Sequence, residues 1–437
     1  MLTYVVGHPI KRPEDFYGRT EQVARFFEIV GGIQTQSLSV LGVRRAGKTS
    51  FFQYVSHPEV MARYVPNPRD YVMVYIDMSS CRTPADFYHR LINKLNHSLS
   101  GTRPLNLWQS PSGEANLYDV ESILCQHPHR RIILLLDEFD HIRTGSFTED
   151  FLTELRAMTG VFDYELACIT SSYWKLSQLG EQIGLPPTSP FYNIFYPTPL
   201  YLPGLELREV ELLIRQPAMQ TGLLYVDNEV ADIHALAGSL PFFVQAAAAK
   251  WYETKLYGMP PTFNALLPQL LVSLAPYMAQ WWRDLTKCER DYLRSLALRT
   301  AVQPDWAHSP ALNAARRKLR ALGFIVPGLN DWNVNGAIFA EWIRQNAAST
   351  EQDETETAVS LPTTTIINPT DIRRLLNDYF DYQELRTLCF DLGLDYDYLS
   401  GEGKGAKIRE LVGFIQRRDQ NLDRLVSAIR IERGQII

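Results

Sequence analysis

LSVLGVRRAGKTSFF, at residues 38–52, is the stretch that decides the fold of the first half of the chain. Its short apolar run predicts a strand, and the two phenylalanines at its end anchor a helix to a sheet. Between them, Gly42 to Thr49 match the pattern G-x-x-x-x-G-K-[ST] in full. The glycines let backbone N–H groups turn inward around a polyphosphate, and the helix N-terminus adds its dipole. The stretch therefore predicts a strand, a phosphate-binding loop and a helix.

The loop also supplies side chains for a nucleotide and its metal. Lys48 is predicted to reach the β- and γ-phosphates and to act in catalysis, and the Thr49 hydroxyl is predicted to take one position on Mg²⁺. Arg44 and Arg45 can touch phosphate, pair with a nearby acid or face solvent. The predicted nucleotide-binding residues of the loop are Gly42, Arg44, Arg45, Ala46, Gly47, Lys48, Thr49 and Ser50.

A second motif, RIILLLDEFD at residues 131–140, predicts a buried strand that ends in carboxylates. The carboxyl end of a central strand is where ligands bind in open α/β sheets. Asp137 is predicted to hold Mg²⁺, mostly through water, and Glu138 to polarise an attacking water as a catalytic residue. An acidic exit from a strand is common by itself, but the phosphate loop upstream favours a paired nucleotide site.

The next strand, ELACITSS at residues 165–172, has a polar end. Thr170, Ser171 or Ser172 can contact the γ-phosphate or the attacking water, and we favour Ser171 as the catalytic contact. A Ser/Thr cap of the following helix is a second role, and both can hold at once. A strand of this kind between the two motif strands is typical of ATPases that use a catalytic glutamate.

Short β-rich runs alternate with helical patterns from about residue 16 to residue 203. The runs are nearly continuous in apolar residues, as in parallel strands covered on both faces. The predicted strands are 37–42, 71–77, 131–137, 165–172 and 198–204. We therefore predict an α/β P-loop NTPase fold with a parallel sheet, followed by helical segments and a hairpin near residue 330.

Composition sets outer bounds on the function. The chain has 437 residues, is 46% hydrophobic and carries a net charge of −6, so no global basic field draws it to nucleic acid or anionic lipid. Its 5 cysteines are scattered without zinc spacing, which is typical of reduced thiols. We expect a cytoplasmic protein without a signal peptide or membrane span.

With these motifs in hand, the chain resembles the STAND group of AAA-like signalling ATPases, which are related to archaeal ATPases and NLR-type switches. The likeness rests on EDFYGRTEQVARFFEIV (14–30), GVRRAGKTSFF (42–52), DEFD (137–140), SPFYNIFYPTPLYLPGLELREVELLI (189–214) and AGSLPFFVQ (237–245). The resemblance implies that Arg19 contacts base or phosphate, with a solvated loop arginine as the alternative, and that Pro241 packs near the base. Many members sense the β-phosphate with a winged-helix histidine, and DWNVNGAIFAEWIRQ has no matching histidine.

Five parts of the chain follow from this resemblance and from the composition. They are an AAA-like P-loop ATPase domain (1–204), a helical lid (205–282), a winged helix (283–346), an acidic flexible linker (347–367) and a small all-α death-like effector-associated adaptor (368–437). The adaptor resembles bacterial death-like effector-associated domains through ELRTLCFDLGLDYDYLSGEGK. Its early acidic and later basic regions are either solvated faces or patches that join copies head to tail.

The predicted function is an ATP-binding, ATP-hydrolysing STAND switch with ATP/ADP and Mg²⁺ as cofactors. The resemblance implies an oligomer on ATP binding and recruitment of an effector with a matching death-like domain, in bacterial defence or conflict signalling. A rival is a DNA-binding initiator- or transposition-type ATPase, because the third helix of the predicted winged helix is basic at Arg316, Arg317, Lys318 and Arg320. A nucleotide-binding scaffold with negligible turnover is a third possibility.

Overall fold

The computed structural model describes residues 4–99, 115–186, 188–300, 309–328 and 331–346, together with the helix Lys404–Asp419 and scattered positions between 372 and 425. Contacts divide the chain into two compact units, Met1–Ala347 and Ala348–Ile437. The predicted linker at 347–367 lies outside the described residues.

A five-stranded parallel sheet forms the base of the first unit. Its strands are β1 (Leu38–Leu41), β2 (Tyr71–Asp77), β3 (Arg131–Asp137), β4 (Glu165–Ser172) and β5 (Leu200–Tyr201), in the spatial order β2-β3-β4-β1-β5. β4 therefore lies between β1, which leads into the phosphate loop, and β3, which ends in the acidic motif. This confirms the predicted α/β P-loop fold and the predicted place of strand 165–172.

The last strand is shorter than the predicted 198–204. β5 comprises only Leu200–Tyr201 and pairs with the end of β1. Leu202 N still donates to Leu41 O at 2.7 Å, but β1 itself ends at Leu41, where the phosphate loop begins. The ladder therefore stops where its partner strand gives way to the phosphate loop.

Helices cover both faces of the sheet. They are α1 (Thr20–Val30), α2 (Lys48–Val55), α3 (Pro58–Met61), α4 (Pro84–Leu99), α5 (Leu117–Leu124), α6 (Glu149–Thr159) and α7 (Leu176–Gln182). Alternate residues of β3 serve the two faces: Leu134 packs in the cluster that contains α4 and α6, and Leu135 packs with α1 and α2. Burial on both faces explains why this strand is apolar throughout.

Helices and one hairpin make up the rest of the first unit. The helices are α8 (Leu207–Met219), α9 (Asp227–Ala237), α10 (Pro241–Leu256), α11 (Phe263–Asp284), α12 (Lys287–Leu298) and α13 (Pro310–Ala321). The predicted hairpin is present as β6 (Ile325–Pro327) antiparallel to β7 (Trp332–Val334), and residues 337–346 are helical.

Trp281, near the end of α11, joins these helices to one another. Its ring stacks on Phe243 at 4.7 Å between centroids and meets Phe324 and Phe339 edge-on at 5.5 and 5.6 Å. Aromatic pairs at such distances contribute about 0.5–1.5 kcal/mol each beyond the area they bury. The predicted lid and the predicted winged helix therefore share one apolar core.

A group of buried hydrogen bonds lies next to this core. Asn335, 5% exposed, accepts from Ser239 N at 3.0 Å and donates to Ser239 Oγ at 2.9 Å and Gly323 O at 2.7 Å. A Cβ on Gly204 would lie 1.9 Å from Ser239 Oγ, so only glycine allows the end of the sheet to approach so closely. Ser239 O in turn accepts from Leu205 N at 2.7 Å, which ties the hairpin, the helices and the sheet together.

The second unit is described in part. Its helix Lys404–Asp419 contributes Ile408, Leu411, Val412 and Ile415 to a buried apolar cluster. The other members of this cluster are Ile372, Leu376, Phe380, Leu385, Leu388, Cys389, Tyr396, Leu399 and Leu425. This unit thus has a core of its own. Much of the proposed acidic region, including Asp391, lies outside the described residues.

Candidate nucleotide-binding site

The phosphate loop has the backbone that its glycines allow. Gly47 has φ +91° at the start of α2, and a Cβ built there would meet no atom within 4 Å, so the space above it is open. Lys48 follows and is 5% exposed; its Nζ donates to Gly42 O at 3.0 Å and Val43 O at 3.2 Å. Among the described residues its ammonium is therefore held only by loop carbonyls, which it can exchange for an anion.

Asp137 is the most heavily hydrogen-bonded side chain of the site. It is 1% exposed and lies at the end of β3. Its Oδ2 accepts from Thr49 Oγ1 at 2.6 Å and from the Tyr75 hydroxyl at 2.9 Å. Its Oδ1 accepts from the Ser171 hydroxyl and from Glu138 N, the latter at 3.0 Å. These four donors fill the lone pairs of the carboxylate and fix its orientation.

Tyr75 was not predicted for the site. It lies on the neighbouring strand β2, and no local motif marks it. Burial and the Asp137 carboxylate raise the pKa of its phenol, so Tyr75 keeps its proton and acts as a donor. The structure thus adds a hydroxyl to the predicted set.

Glu138 has a left-handed backbone, with φ +50°. Such a conformation costs a non-glycine residue about 1–3 kcal/mol and is concentrated at functional sites. The turn places Glu138 in the lining of the same cavity as the phosphate loop. Among the described residues its carboxylate has no hydrogen-bond partner, and it is therefore available to a water molecule.

The polar end of β4 divides its residues between different roles. Ser171 contacts Asp137, as described above. Ser172 Oγ donates to Trp174 O at 2.7 Å, and the buried Thr170 Oγ1 has no partner within the described part of the chain. Of the three candidates, the structure brings only Ser171 to the carboxylate.

Asp140, the last residue of DEFD, has a supporting position that the sequence analysis left unassigned. It is 8% exposed, and its carboxylate accepts from Tyr173 N at 2.8 Å and Trp174 N at 3.2 Å. It thus fixes the turn after β4. The last acid of the motif was a visible signal for such a position.

A cavity of about 470 Å³ opens above the phosphate loop. It is lined by side chains of the loop, by Glu138, and by Leu213, Pro241 and Gln245 of α8 and α10. The N-terminal segment contributes Gly7, His8, Pro9, Ile10, Asp15, Phe16, Tyr17 and Arg19. A pocket lined by both polar and apolar side chains suits a nucleotide.

Arg19 is buried, 3% exposed, so it is not a solvated loop arginine. Its Nη2 donates to Ala46 O at 3.1 Å, and its N–H donates to Glu209 Oε1 at 2.8 Å. Burial lowers the pKa of Arg19 to about 10, against the opposing effect of Glu209, and the group stays protonated at neutral pH.

Residue 18, which precedes this arginine, is a glycine because the Glu209 side chain lies against it. Gly18 has φ +79°, and a Cβ there would lie 2.6 Å from the Glu209 carboxyl carbon. Only glycine therefore lets α8 approach the N-terminal segment so closely. Glu209 was not predicted for the site, because it lies 190 residues from Arg19 in the sequence.

The Arg45 side chain contacts residues outside the loop and also lines the cavity. Its guanidinium donates to Gly7 O at 2.7 Å and lies 5.2 Å from the ring centroids of both Phe242 and Tyr277. Arg44 is exposed, and its backbone carbonyl accepts from Trp281 Nε1 at 3.0 Å.

Two further predicted residues, Ser50 and Pro241, also line this cavity. Ser50 Oγ accepts from Ile10 N at 3.1 Å, and Pro241 begins α10. The nucleotide contacts predicted for these residues and for the two loop arginines stay predictions.

Residues 33–169 match the family model described as AAA domain. This part of the chain is an AAA-type P-loop ATPase domain. Residues 372–434 match the model described as effector-associated domain 7. The P-loop ATPase domain and the effector-associated domain expected from the sequence are thereby confirmed, as is the classification of the chain as an ATPase.

Comparison with a solved Walker-type ATPase shows the same fold. A Walker-type ATPase of Pyrococcus abyssi is 16% identical, with a TM-score of 0.56 over 79% of this chain and 100% of that one. The ORC2 protein of Aeropyrum pernix is 13% identical, with a TM-score of 0.44 over 80% of this chain and 96% of that one. No curated protein matches the chain in sequence. Within the described residues, no helix is both long and apolar enough to cross a membrane.

Proposed function

We propose that this protein is a STAND-type molecular switch that binds and hydrolyses ATP and signals through its effector-associated domain. The observation that carries the proposal is the presence, on one chain, of a convergent site around Lys48, Asp137 and Glu138 and a domain of the effector-associated class. We place the function in bacterial defence or conflict signalling, by resemblance alone.

Each side chain of the site has a proposed role. Lys48 exchanges its loop carbonyls for the β- and γ-phosphates, Thr49 and Asp137 hold Mg²⁺, Glu138 orients the attacking water and Ser171 contacts the reacting end. Hydroxyl and carboxylate oxygens are the donors that Mg²⁺ prefers. Bound Mg²⁺ would neutralise phosphate charge as it develops during hydrolysis. Pro241 and Leu213, which also line the cavity, supply apolar contacts for the base.

The contacts around the loop support a link between the nucleotide and the rest of the first unit. Trp281 donates to the carbonyl of Arg44 while its ring packs against the core shared by the helices. A change in the loop on nucleotide exchange would therefore be felt by the predicted lid and winged helix. This contact offers a route for nucleotide sensing in a chain that lacks the family's histidine.

We propose that ATP favours an open form that self-associates, and that ADP favours the form described above. In the open form the effector-associated domain would recruit an effector with a matching domain. The domain has a core of its own and lies in the second compact unit, which supports its role as a separate output module.

The position of α13 bears on the DNA-binding alternative. Lys318 pairs with Glu289 at 2.9 Å, Arg316 lies 5.0 Å from the Tyr292 ring, and Arg320 lies 5.3 Å from the Trp332 ring. Cations that are committed to partners in the protein are less available to phosphates of DNA. These contacts favour packing of the helix within the protein over DNA binding.

Phosphate release and self-association test the proposal together. Lys48→Ala should abolish nucleotide binding, and Glu138→Gln should bind ATP but hydrolyse it at least about 100-fold more slowly. Light scattering should show larger particles for Glu138→Gln with ATP than with ADP.

Removal of residues 366–437 should leave phosphate release intact and abolish co-purification of the effector. Normal turnover by Glu138→Gln would contradict the catalytic assignment. Negligible turnover by the wild type, with and without its partner, would favour the scaffold alternative.

A further inference from the structure

The Tyr75 hydroxyl shares one carboxylate oxygen with Thr49. Both donate to Asp137 Oδ2, Thr49 at 2.6 Å and Tyr75 at 2.9 Å. The other oxygen is held separately, by Ser171 and by the backbone of Glu138. Oδ2 therefore depends on two hydroxyls for its position, and they come from different elements, α2 and β2.

These two hydroxyls cannot keep the same role when nucleotide binds. Under the proposed function, Thr49 turns its oxygen to the metal and releases Oδ2. Tyr75 has no such second partner: its ring is packed beside the sheet and its hydroxyl reaches Asp137 alone among the described residues. After Thr49 leaves, Tyr75 is the donor that remains on Oδ2.

We propose that Tyr75 is a positioning residue, whose hydroxyl keeps Asp137 oriented for the metal while Thr49 transfers from the carboxylate to the metal. This inference rests on the proposed function and adds to it a residue of β2 that lies outside both nucleotide motifs. Hydrogen bonds to a metal-binding carboxylate orient it, and their removal typically weakens metal affinity by about 10-fold or more.

The same strand provides a matched control. Tyr71 lies four residues earlier on the same face of β2, and its hydroxyl accepts from Arg131 Nη1 at 3.0 Å, away from Asp137. Tyr75→Phe and Tyr71→Phe each remove one hydroxyl and keep the ring. A general loss of packing or stability would affect both variants, whereas loss of carboxylate positioning would affect only Tyr75→Phe.

The experiment is a Mg²⁺ titration of the binding of the non-hydrolysable analogue AMP-PNP to the full chain, followed by calorimetry. Tyr75→Phe should raise the Mg²⁺ midpoint by about 10-fold. Its affinity for ADP without Mg²⁺ should change by less than about twofold. Tyr71→Phe should leave both quantities at the wild-type value.

The possible failures are distinguishable. If wild-type binding responds to Mg²⁺ and Tyr75→Phe has the wild-type midpoint, the inference about Tyr75 is wrong and the proposed function stands. An equal rise in the midpoint for Tyr71→Phe would also overturn the inference, because the effect would then be general to the strand. Wild-type binding that ignores Mg²⁺ would instead contradict the proposed function.

Discussion

Substitution of Lys318 tests whether α13 packs stably against the ATPase domain. The Lys318 ammonium lies 2.9 Å from Glu289 Oε1, with side chains 20% and 6% exposed. It also lies 5.5 Å from the Tyr173 ring and 5.6 Å from the Trp174 ring, on the turn that Asp140 holds after β4. A change at this lysine should therefore be felt next to the nucleotide site.

The cost of Lys318→Met can be worked from these contacts. Removal of one partner of a buried ion pair costs about 3–5 kcal/mol. Glu289 keeps a hydrogen bond from Thr286 N at 2.9 Å, and the lysine is partly exposed, so both facts reduce the penalty. We expect Lys318→Met to lower the free energy of unfolding by about 2–3 kcal/mol.

Urea denaturation measures this loss, and Arg317→Met is the matched control because Arg317 is the exposed neighbour on the same helix. In a double-mutant cycle with Glu289→Gln, the two substitutions should be strongly non-additive. The packing argument would be wrong if Lys318→Met and Arg317→Met changed the free energy of unfolding equally. If the contact stabilises the form that ADP favours, Lys318→Met should also release ADP faster than the control.

Three further predictions concern other contacts. Gly18→Ala should lower the free energy of unfolding in urea by at least about 1–2 kcal/mol and weaken ADP binding. The reasons are the φ of +79° at Gly18 and its contact with Glu209. An unchanged unfolding free energy and ADP affinity would refute the close approach. Trp281→Phe should lower the free energy of unfolding by about 1–3 kcal/mol and speed ADP release, because it leaves the Arg44 carbonyl without its donor. ADP release at the wild-type rate would argue against coupling through this contact. Burial lowers the pKa of His234 below its ordinary 6.5, so the unfolded chain binds the proton more readily than the folded chain. The free energy of unfolding should therefore fall as the pH drops below about 6.5. His234→Asn should flatten this part of the profile of unfolding free energy against pH, and an unchanged slope would contradict the assignment.

The features that were predictable from the sequence are local. The phosphate loop, the acidic end of β3 and the polar end of β4 each combine an apolar run with a few adjacent side chains. Parallel strands bring their carboxyl ends to one edge, so the meeting of Thr49, Asp137 and Ser171 followed from the order of the elements. The length of β5 was predicted less well, because it depends on where the partner strand β1 ends.

The features that were missed depend on distant parts of the chain. Glu209 contacts Arg19 across a separation of 190 residues, and Trp281 contacts Arg44 across 237 residues. No local sequence pattern predicts either contact. Tyr75 resembles any other aromatic residue of a half-buried strand until the register of β2 and β3 is known. The basic helix α13 suggested a nucleic-acid surface because its partners, Glu289 among them, could not be seen from its own sequence.

Equilibrium binding of ATP to the purified full chain with Mg²⁺ tests the central claim most directly. The account predicts uptake of one nucleotide per chain in the wild type and none in Lys48→Ala, with the variant still folded by circular dichroism. A folded wild-type protein that takes up neither ATP nor ADP, or a Lys48→Ala variant that binds as the wild type does, would contradict it.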